Sequence, residues 1–333
     1  MKQRLRDIWR KLADRSRVLR ADPSVRRALR RAQYALMAGV VVYLVYRLSL
    51  VGWREVIDNL PSSPWFYALF AMRYFAMPLL EIPAYELVWG RPLWRYVTAF
   101  VRKRVYNFAV MGYSGEAFFT LWARRRLALS DQRILAGVKD NNILSALASN
   151  AATVMLIVAL AASDSLDPGL NAVPGAAVLF SLAFLSAFCL TLLVVVFRNK
   201  IVDLPSGVMG KLIGIYAARV AIIMALHAGM YAVALPGAPL LAWMMFIALQ
   251  LVLSRIPFVP NQDLVFLGAA LSLAPIVGAP EAAIAGMLVA EAGLSQIFNF
   301  ALFFATAHDA RGEVDGENRP AVAQGLAGER ARP

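Results

Sequence analysis

Nine apolar runs follow one another between Tyr34 and Ala307, most of them close to the length of a membrane span. They are Tyr34–Val51, Trp65–Trp89, Val105–Ala123, Ile143–Ala162, Pro174–Phe197, Leu212–Leu235, Leu240–Leu253, Leu264–Val277 and Ala282–Ala307. About 20 apolar residues cross the hydrocarbon core of a bilayer. In lipid each backbone N–H and C=O must be satisfied within the chain, so such runs fold as helices. The composition agrees: 60% of the 333 residues are apolar and the mean hydropathy is +0.59, against roughly 45–50% apolar in soluble domains. The chain reads as an all-α polytopic membrane protein. Soluble Rossmann-type or barrel enzymes, disulfide scaffolds and disordered chains are excluded.

Charge divides the chain into three parts. Residues 1–32 carry 12 Lys/Arg against three Asp and form a basic cytoplasmic segment. That segment is either an amphipathic helix lying on anionic lipid, with Leu5, Ile8, Trp9 and Leu12 on its apolar face, or a solvated tail that only sets orientation. Residues 33–307 form the transmembrane domain, and 308–333 are polar and Gly/Ala/Arg-rich, read as a disordered cytoplasmic tail. Tyr34–Val51 has no cleavage site after it and reads as a retained anchor. The net charge of +13 flanks apolar runs, as orientation in a membrane requires, and does not point to nucleic acid.

Loop charge predicts the topology. The near-neutral loop 52–64 lies outside. The stretch Arg91–Arg104, with five basic residues and no acid, lies inside, and Arg124–Asn142 also reads as an inside loop. Both flanks of Val105–Ala123 are then on one side, so this run is expected to enter and return as a re-entrant hairpin turning at Met111-Gly112-Tyr113-Ser114-Gly115. Leu240–Leu253 and Leu264–Val277, 14 residues each, read as a second hairpin entering from the opposite face. The expected fold has six full spans and two re-entrant helical hairpins, with both termini cytoplasmic. Broken elements in both halves suggest an inverted repeat and a transporter-type site. Trp65–Trp89 is expected to be interrupted at Pro78 and Pro83.

Charged groups inside a membrane are costly and usually face a partner or water. The candidates are Arg73, Glu81, Glu86, Glu116, Arg219, His227, Arg255, Asp263, Glu281 and Glu291. Arg47, Glu81, Glu86 and Glu281 read first as structural ion pairs or snorkelling groups. Arg104, Arg219 and Arg255 suit an anionic headgroup, because the guanidinium fork pairs bidentately with phosphate or carboxylate. Glu116 and Asp263 would balance charge or relay protons. Asn107 and Ser114 would orient hydroxyls, and free amides at the Gly112–Gly115 turn would add anion affinity.

The stretch Asn107-Phe108-Ala109-Val110-Met111-Gly112-Tyr113-Ser114-Gly115-Glu116-Ala117-Phe118 resembles the N-x-x-x-P-x-R-x-G-E-x-x-R element of the flippase-like membrane family. That family comprises the transmembrane domain of lysylphosphatidylglycerol synthases and its stand-alone relatives. Ile256-Pro257-Phe258-Val259-Pro260-Asn261-Gln262-Asp263 resembles the family's second element, P-x-x-P-G-G-x-G-x-x-E, without its Gly-rich part. Asn107, Gly115 and Glu116 match the first; its Pro and Arg are replaced by Met111 or Gly112 and by Tyr113. The resemblance implies translocation of an amphiphilic lipid or lipid-linked sugar, without nucleotide hydrolysis and without the soluble synthase domain.

Two other readings stand beside it. The first is a non-transporting scaffold or subunit for a lipid-biosynthetic enzyme or glycosyltransferase. The second is an intramembrane serine protease of rhomboid type, since Gly112-Tyr113-Ser114-Gly115 fits G-x-S-G and His227 could pair with Ser114. Otherwise the chain is not expected to be an enzyme or to hold a cofactor or metal. Its only histidines are His227 and His308, its only cysteine is Cys189, and it has no P-loop. The abundance of Ala, Arg and Leu suggests a high-GC bacterium, and hence the inner membrane.

Overall fold

A computed structural model describes residues 52–109, 114–163, 175–254, 262–274 and 278–306, with Val42, Tyr46 and Ser49. Among them the regular structure is helical, without a strand. We number the α-helices in chain order: α1 (Trp53–Asp58), α2 (Pro64–Trp89), α3 (Val97–Ala109), α4 (Ser114–Arg126), α5 (Asp131–Ala162), α6 (Ala176–Val196), α7 (Arg198–Ile201), α8 (Ser206–Ala234), α9 (Leu240–Leu253), α10 (Gln262–Leu271) and α11 (Glu281–Ala305). Three of these, α5, α8 and α11, are long and apolar enough by length and composition to cross a membrane. This is a membrane protein with an all-helical domain.

The apolar runs foretold most of these elements, and the differences have physical causes. Helix α2 runs unbroken through Pro78 and Pro83. Proline removes one N–H and clashes one turn back, but α2 is packed by α3, α5 and α8, which hold it helical. The stretch expected as an inside loop, Arg124–Asn142, is mostly helix. Ser130 Oγ accepts from Arg133 N at 3.4 Å and starts α5 at Asp131, as an N-cap serine does. Between α4 and α5 only residues 127–130 are non-helical. The stretch Arg91–Arg104 is helical from Val97, and Arg102 and Lys103 are buried, with exposures of 7% and 2%. Part of the charge that marked this stretch as cytoplasmic is therefore paired inside the bundle. Of Leu264–Val277, residues 264–271 lie in the ten-residue α10, and 275–277 lie outside the described residues.

Helices α3 and α4 pack antiparallel. Phe100 meets Phe119 with ring centroids 4.7 Å apart, and nearer the turn Tyr106 meets Phe118 at 5.0 Å. This pair is fastened to α2 by a nest of rings: Tyr85 lies 4.9 Å from Phe119, and Trp89 stacks on Phe119 at 5.7 Å. The second short pair, α9 and α10, is the centre of the larger core. Trp243, Phe246, Ala248, Leu249 and Val252 of α9 are buried on all sides, against α5, α6 and α8. Helix α6 is the opposite case. Leu182, Leu185, Leu190, Leu192 and Val196 are exposed, and among the described side chains of this helix only Ala183 and Ala187 are buried. An apolar helix that turns small residues inward and large ones outward suits a lipid-facing position.

Helices α2 and α8 lie side by side at the centre, running in opposite directions. Arg73 of α2 meets His227 of α8, and Glu81 meets Arg219. As the number rises on one helix it falls on the other. This antiparallel pair carries the polar groups described next.

Candidate functional site

Two polar layers cross the α2–α8 contact, eight residues apart on each helix. At 1.5 Å per residue they are ~12 Å apart along the axis.

The first layer is built on Glu81. Lys103 Nζ of α3 lies 3.0 and 3.1 Å from the two carboxylate oxygens. Arg219 Nη1 lies 3.5 Å from Oε1, while its Nη2 donates to Ser145 Oγ of α5 at 2.6 Å. The Arg219 guanidinium also sits 4.6 Å from the Tyr216 ring, and Tyr216 Oη donates to Asn141 Oδ1 at 2.7 Å. Glu116 of α4 stands 3.8 Å from Lys103 Nζ. Two carboxylates thus face two cations, so the layer is formally neutral. Glu116 Oε2 has no hydrogen-bond partner.

The second layer is built on Arg73. Its Nη2 donates to Glu291 Oε1 of α11 at 2.5 Å, and its Nη1 lies 3.4 Å from His227 Nδ1. A guanidinium only donates, so Nδ1 accepts and the imidazole proton sits on Nε2. That nitrogen lies 3.2 Å from Glu291 Oε1, off the angle of a hydrogen bond. Tyr231 Oη donates to Glu291 Oε2 at 2.9 Å. This layer is neutral too, with one cation and one carboxylate.

Both layers keep a small exposure. The side chains of Arg73 and Glu81 are each 17% exposed, Glu116 is 19% and Glu291 is 10%. Between the layers lies Arg104 of α3. Its guanidinium sits 4.2 Å from the Tyr74 ring centroid, and its Nη1 lies 2.7 Å from Met77 Sδ. Tyr74 Oη donates to Asn299 Oδ1 of α11 at 2.6 Å. Chemically, the arrangement places a cation on an aromatic face beside Met77, which is 40% exposed, with an ion-pair layer on either side.

The structure sorts the residues singled out from sequence. Glu116 and Arg219 share the first layer, whereas Arg104 turns away from it towards Met77. Asn107, Ser114 and Gly115 tie the α3–α4 pair together. Gly115 N donates to Asn107 Oδ1 at 2.7 Å, Asn107 Nδ2 donates to Glu116 Oε1 at 3.2 Å, and Ser114 Oγ donates to the Tyr106 carbonyl at 2.6 Å. A Cβ at position 115 would land on the Lys103 carbonyl, so only glycine allows this approach. Ser114 and His227 engage different partners, the Tyr106 carbonyl and Arg73 with Glu291. Arg255, the Asp263 side chain and the turn 111–113 lie outside the described residues.

Glu86, expected in an ion pair or snorkelling, accepts from Leu93 N at 2.6 Å near the end of α2. Glu81, expected as a structural ion pair, is one, and it is also the hub of the first layer. Sequence reasoning missed Lys103 and Ser145. Lys103 sat among Arg102 and Arg104 and read as a loop charge. Its helical spacing to Phe100 and Asn107, three before and four after, was the signal that could have placed it on the inner face.

The chain matches no family model, no curated protein and no solved structure.

Proposed function

We propose that this protein binds an amphiphilic lipid or lipid-linked sugar and moves it across a bacterial inner membrane, in the manner of the flippase-like family that its hairpin sequence resembles. The headgroup is held on the inner polar face of α2, α3, α4 and α8, with Arg104 and Arg219 as anion contacts and Glu116 as the accessible carboxylate. The observation that carries the reading is the partial exposure, 10–19%, of ion-paired groups inside an apolar bundle. Charges of this kind are costly in a membrane and are retained where they meet water or a polar ligand. Asn107, Gly115 and Glu116, which carry the resemblance, also share one hydrogen-bonded knot.

The reading includes a topology. Helices α2, α5, α6, α8 and α11 are five of the six expected spans, and the other, Tyr34–Val51, lies outside the described residues but for Val42, Tyr46 and Ser49. Helices α3 and α4 have 13 residues each, α9 has 14 and α10 has ten. These correspond to ~15–21 Å, short of a core of ~30 Å, which supports reading the two pairs as re-entrant. The order of contacts supports an inverted repeat. Helix α2 packs on α3 as α8 packs on α9; α4 packs on α5 as α10 packs on α11; and α11 reaches α3 as α5 reaches α9.

The second reading is a scaffold for a lipid-biosynthetic enzyme or glycosyltransferase. The reciprocal neutralisation of both layers favours it, since a scaffold needs only paired charges. Proteoliposomes with labelled headgroups decide between the two. Translocation that is present in wild type and reduced in Glu116→Gln supports the transporter. Equal headgroup accessibility with and without protein, over several lipid classes including lipid-linked sugars, supports the scaffold.

A further inference from the structure

The two polar layers repeat each other at a fixed spacing. Arg73, Glu81 and Ser145 occupy positions that recur 146 residues later as Arg219, His227 and Glu291. The contacts recur with them. Arg73 touches His227 and Glu291, and Arg219 touches Glu81 and Ser145. Each arginine belongs to one half of the chain, and both of its partners belong to the other half. Exchanging the halves turns one contact set into the other, which is the behaviour of a two-fold axis. On α2 and α8 the same spacing relates Ala71, Leu80 and Tyr85 to Ala217, Leu226 and Tyr231. On α5 and α11 it relates Ala146, Ser149 and Leu156 to Ala292, Ser295 and Leu302. The axis passes the level of Met77 and Ile223, midway between the layers, where Arg104 lies against Met77 and Tyr74.

We infer that the Arg73 and Arg219 layers are equivalent closures on opposite sides of a headgroup-binding level at Met77, Tyr74 and Arg104, and that they open in alternation. This deepens, and rests on, the translocation proposed above. Met77 is 40% exposed, so this level opens at the side of the bundle, and a group held there moves towards either face when the layer on that side parts. A two-fold related pair of layers supplies two such closures of like construction. The ligand class at the middle level is an anionic headgroup, phosphate or carboxylate, because the cation there is a guanidinium. With the N-terminus cytoplasmic, α2 runs inward, so the Arg73 layer closes the outer face and the Arg219 layer the cytoplasmic face.

The test uses the full chain in sealed vesicles of each orientation. Cys189, the only cysteine, is removed as Cys189→Ser, and Met77→Cys is the reporter. The probe is a membrane-impermeant charged thiol reagent, which reacts only with a hydrated thiol. Arg73→Gln is expected to raise labelling at least about fivefold from the outer face, and Arg219→Gln by a similar factor from the cytoplasmic face, as a shifted two-state equilibrium requires. Should either arginine variant fail to fold, Glu291→Gln and Ser145→Ala loosen the same layers more gently. Labelling raised from one common face by both variants, or raised by neither folded variant, overturns the inference. Faces exchanged between the variants would uphold the closures and overturn the assigned orientation. Sided labelling in a protein that moves no lipid would uphold the closures and overturn the lipid reading.

Discussion

Gly115→Ala tests the packing of the first hairpin. A Cβ there would fall on the Lys103 carbonyl and 2.7 Å from Asn107 Oδ1. The first obstacle is backbone, so the clash cannot be relieved by a rotamer change, and α3 and α4 must separate. Overpacking of this kind costs about 1–3 kcal/mol. Separation also breaks the 2.7 Å bond from Gly115 N to Asn107, leaving a buried donor at a further cost of about 1–3 kcal/mol. Together the two terms come to about 2–6 kcal/mol. At roughly 2 °C per kcal/mol for a chain of this size, the apparent unfolding temperature in detergent falls by about 4–12 °C. Gly214→Ala is the control. Gly214 lies in α8 with nothing within 4 Å of a new Cβ, so alanine there leaves stability unchanged or raises it by about 0.5–1 kcal/mol. Thermal denaturation followed by size-exclusion chromatography measures both variants. A Gly115→Ala protein that unfolds within about 1 °C of wild type would refute the reasoning, as would equal losses in the two variants.

Three further outcomes follow from the layers and the ring cluster. Glu81→Gln should destabilise by about 3–5 kcal/mol, since it takes the carboxylate from both Lys103 and Arg219 inside the bundle. Glu116→Gln, whose cation stands at 3.8 Å, should cost clearly less, and ranking the two unfolding temperatures checks it. Arg104→Ala should lower retention of anionic lipid on the purified protein. Its cost in stability should be about 1 kcal/mol, as expected for a cation on a ring face, and lipid retention measured against unfolding temperature separates the two effects. Trp89→Ala should cost about 3–5 kcal/mol, because its buried ring stacks on Phe119 and meets Tyr85 at 4.8 Å; loss of monodisperse protein on mild heating is the readout.

Helix α9 shows how far local pattern reaches. Its limits, Leu240–Leu253, coincide with the apolar run because Pro239 precedes it and Ser254 follows, and no charged residue interrupts it. Helix α5 shows where pattern stops. Its first 12 residues hold Arg133, Lys139 and Asp140, so hydropathy alone gave them to a loop. Helix propensity, the Ser130 cap and packing against α2 and α4 made them helical. The same limit applied to the site. Arg219 and Glu116 could be named because charge is rare within apolar runs. Lys103 could not, because at the edge of such a run a buried cation and a solvated one look alike.

What the sequence by itself determined is the helical, membrane-embedded class and the position of most helices. Those follow from hydropathy and from the need to satisfy the backbone, both properties of neighbouring residues. Only the tertiary structure decided which charges meet. Arg73 finds His227 and Glu291 at separations of 154 and 218 residues, and Arg219 finds Glu81 and Ser145 in the other half. Ion pairing depends on a few ångströms of distance, and that distance is set by how α2 and α8 pack, which no single segment encodes. The recurrence at 146 residues was present in the sequence throughout, but with so few identities it became legible only once the contacts had shown which positions to compare.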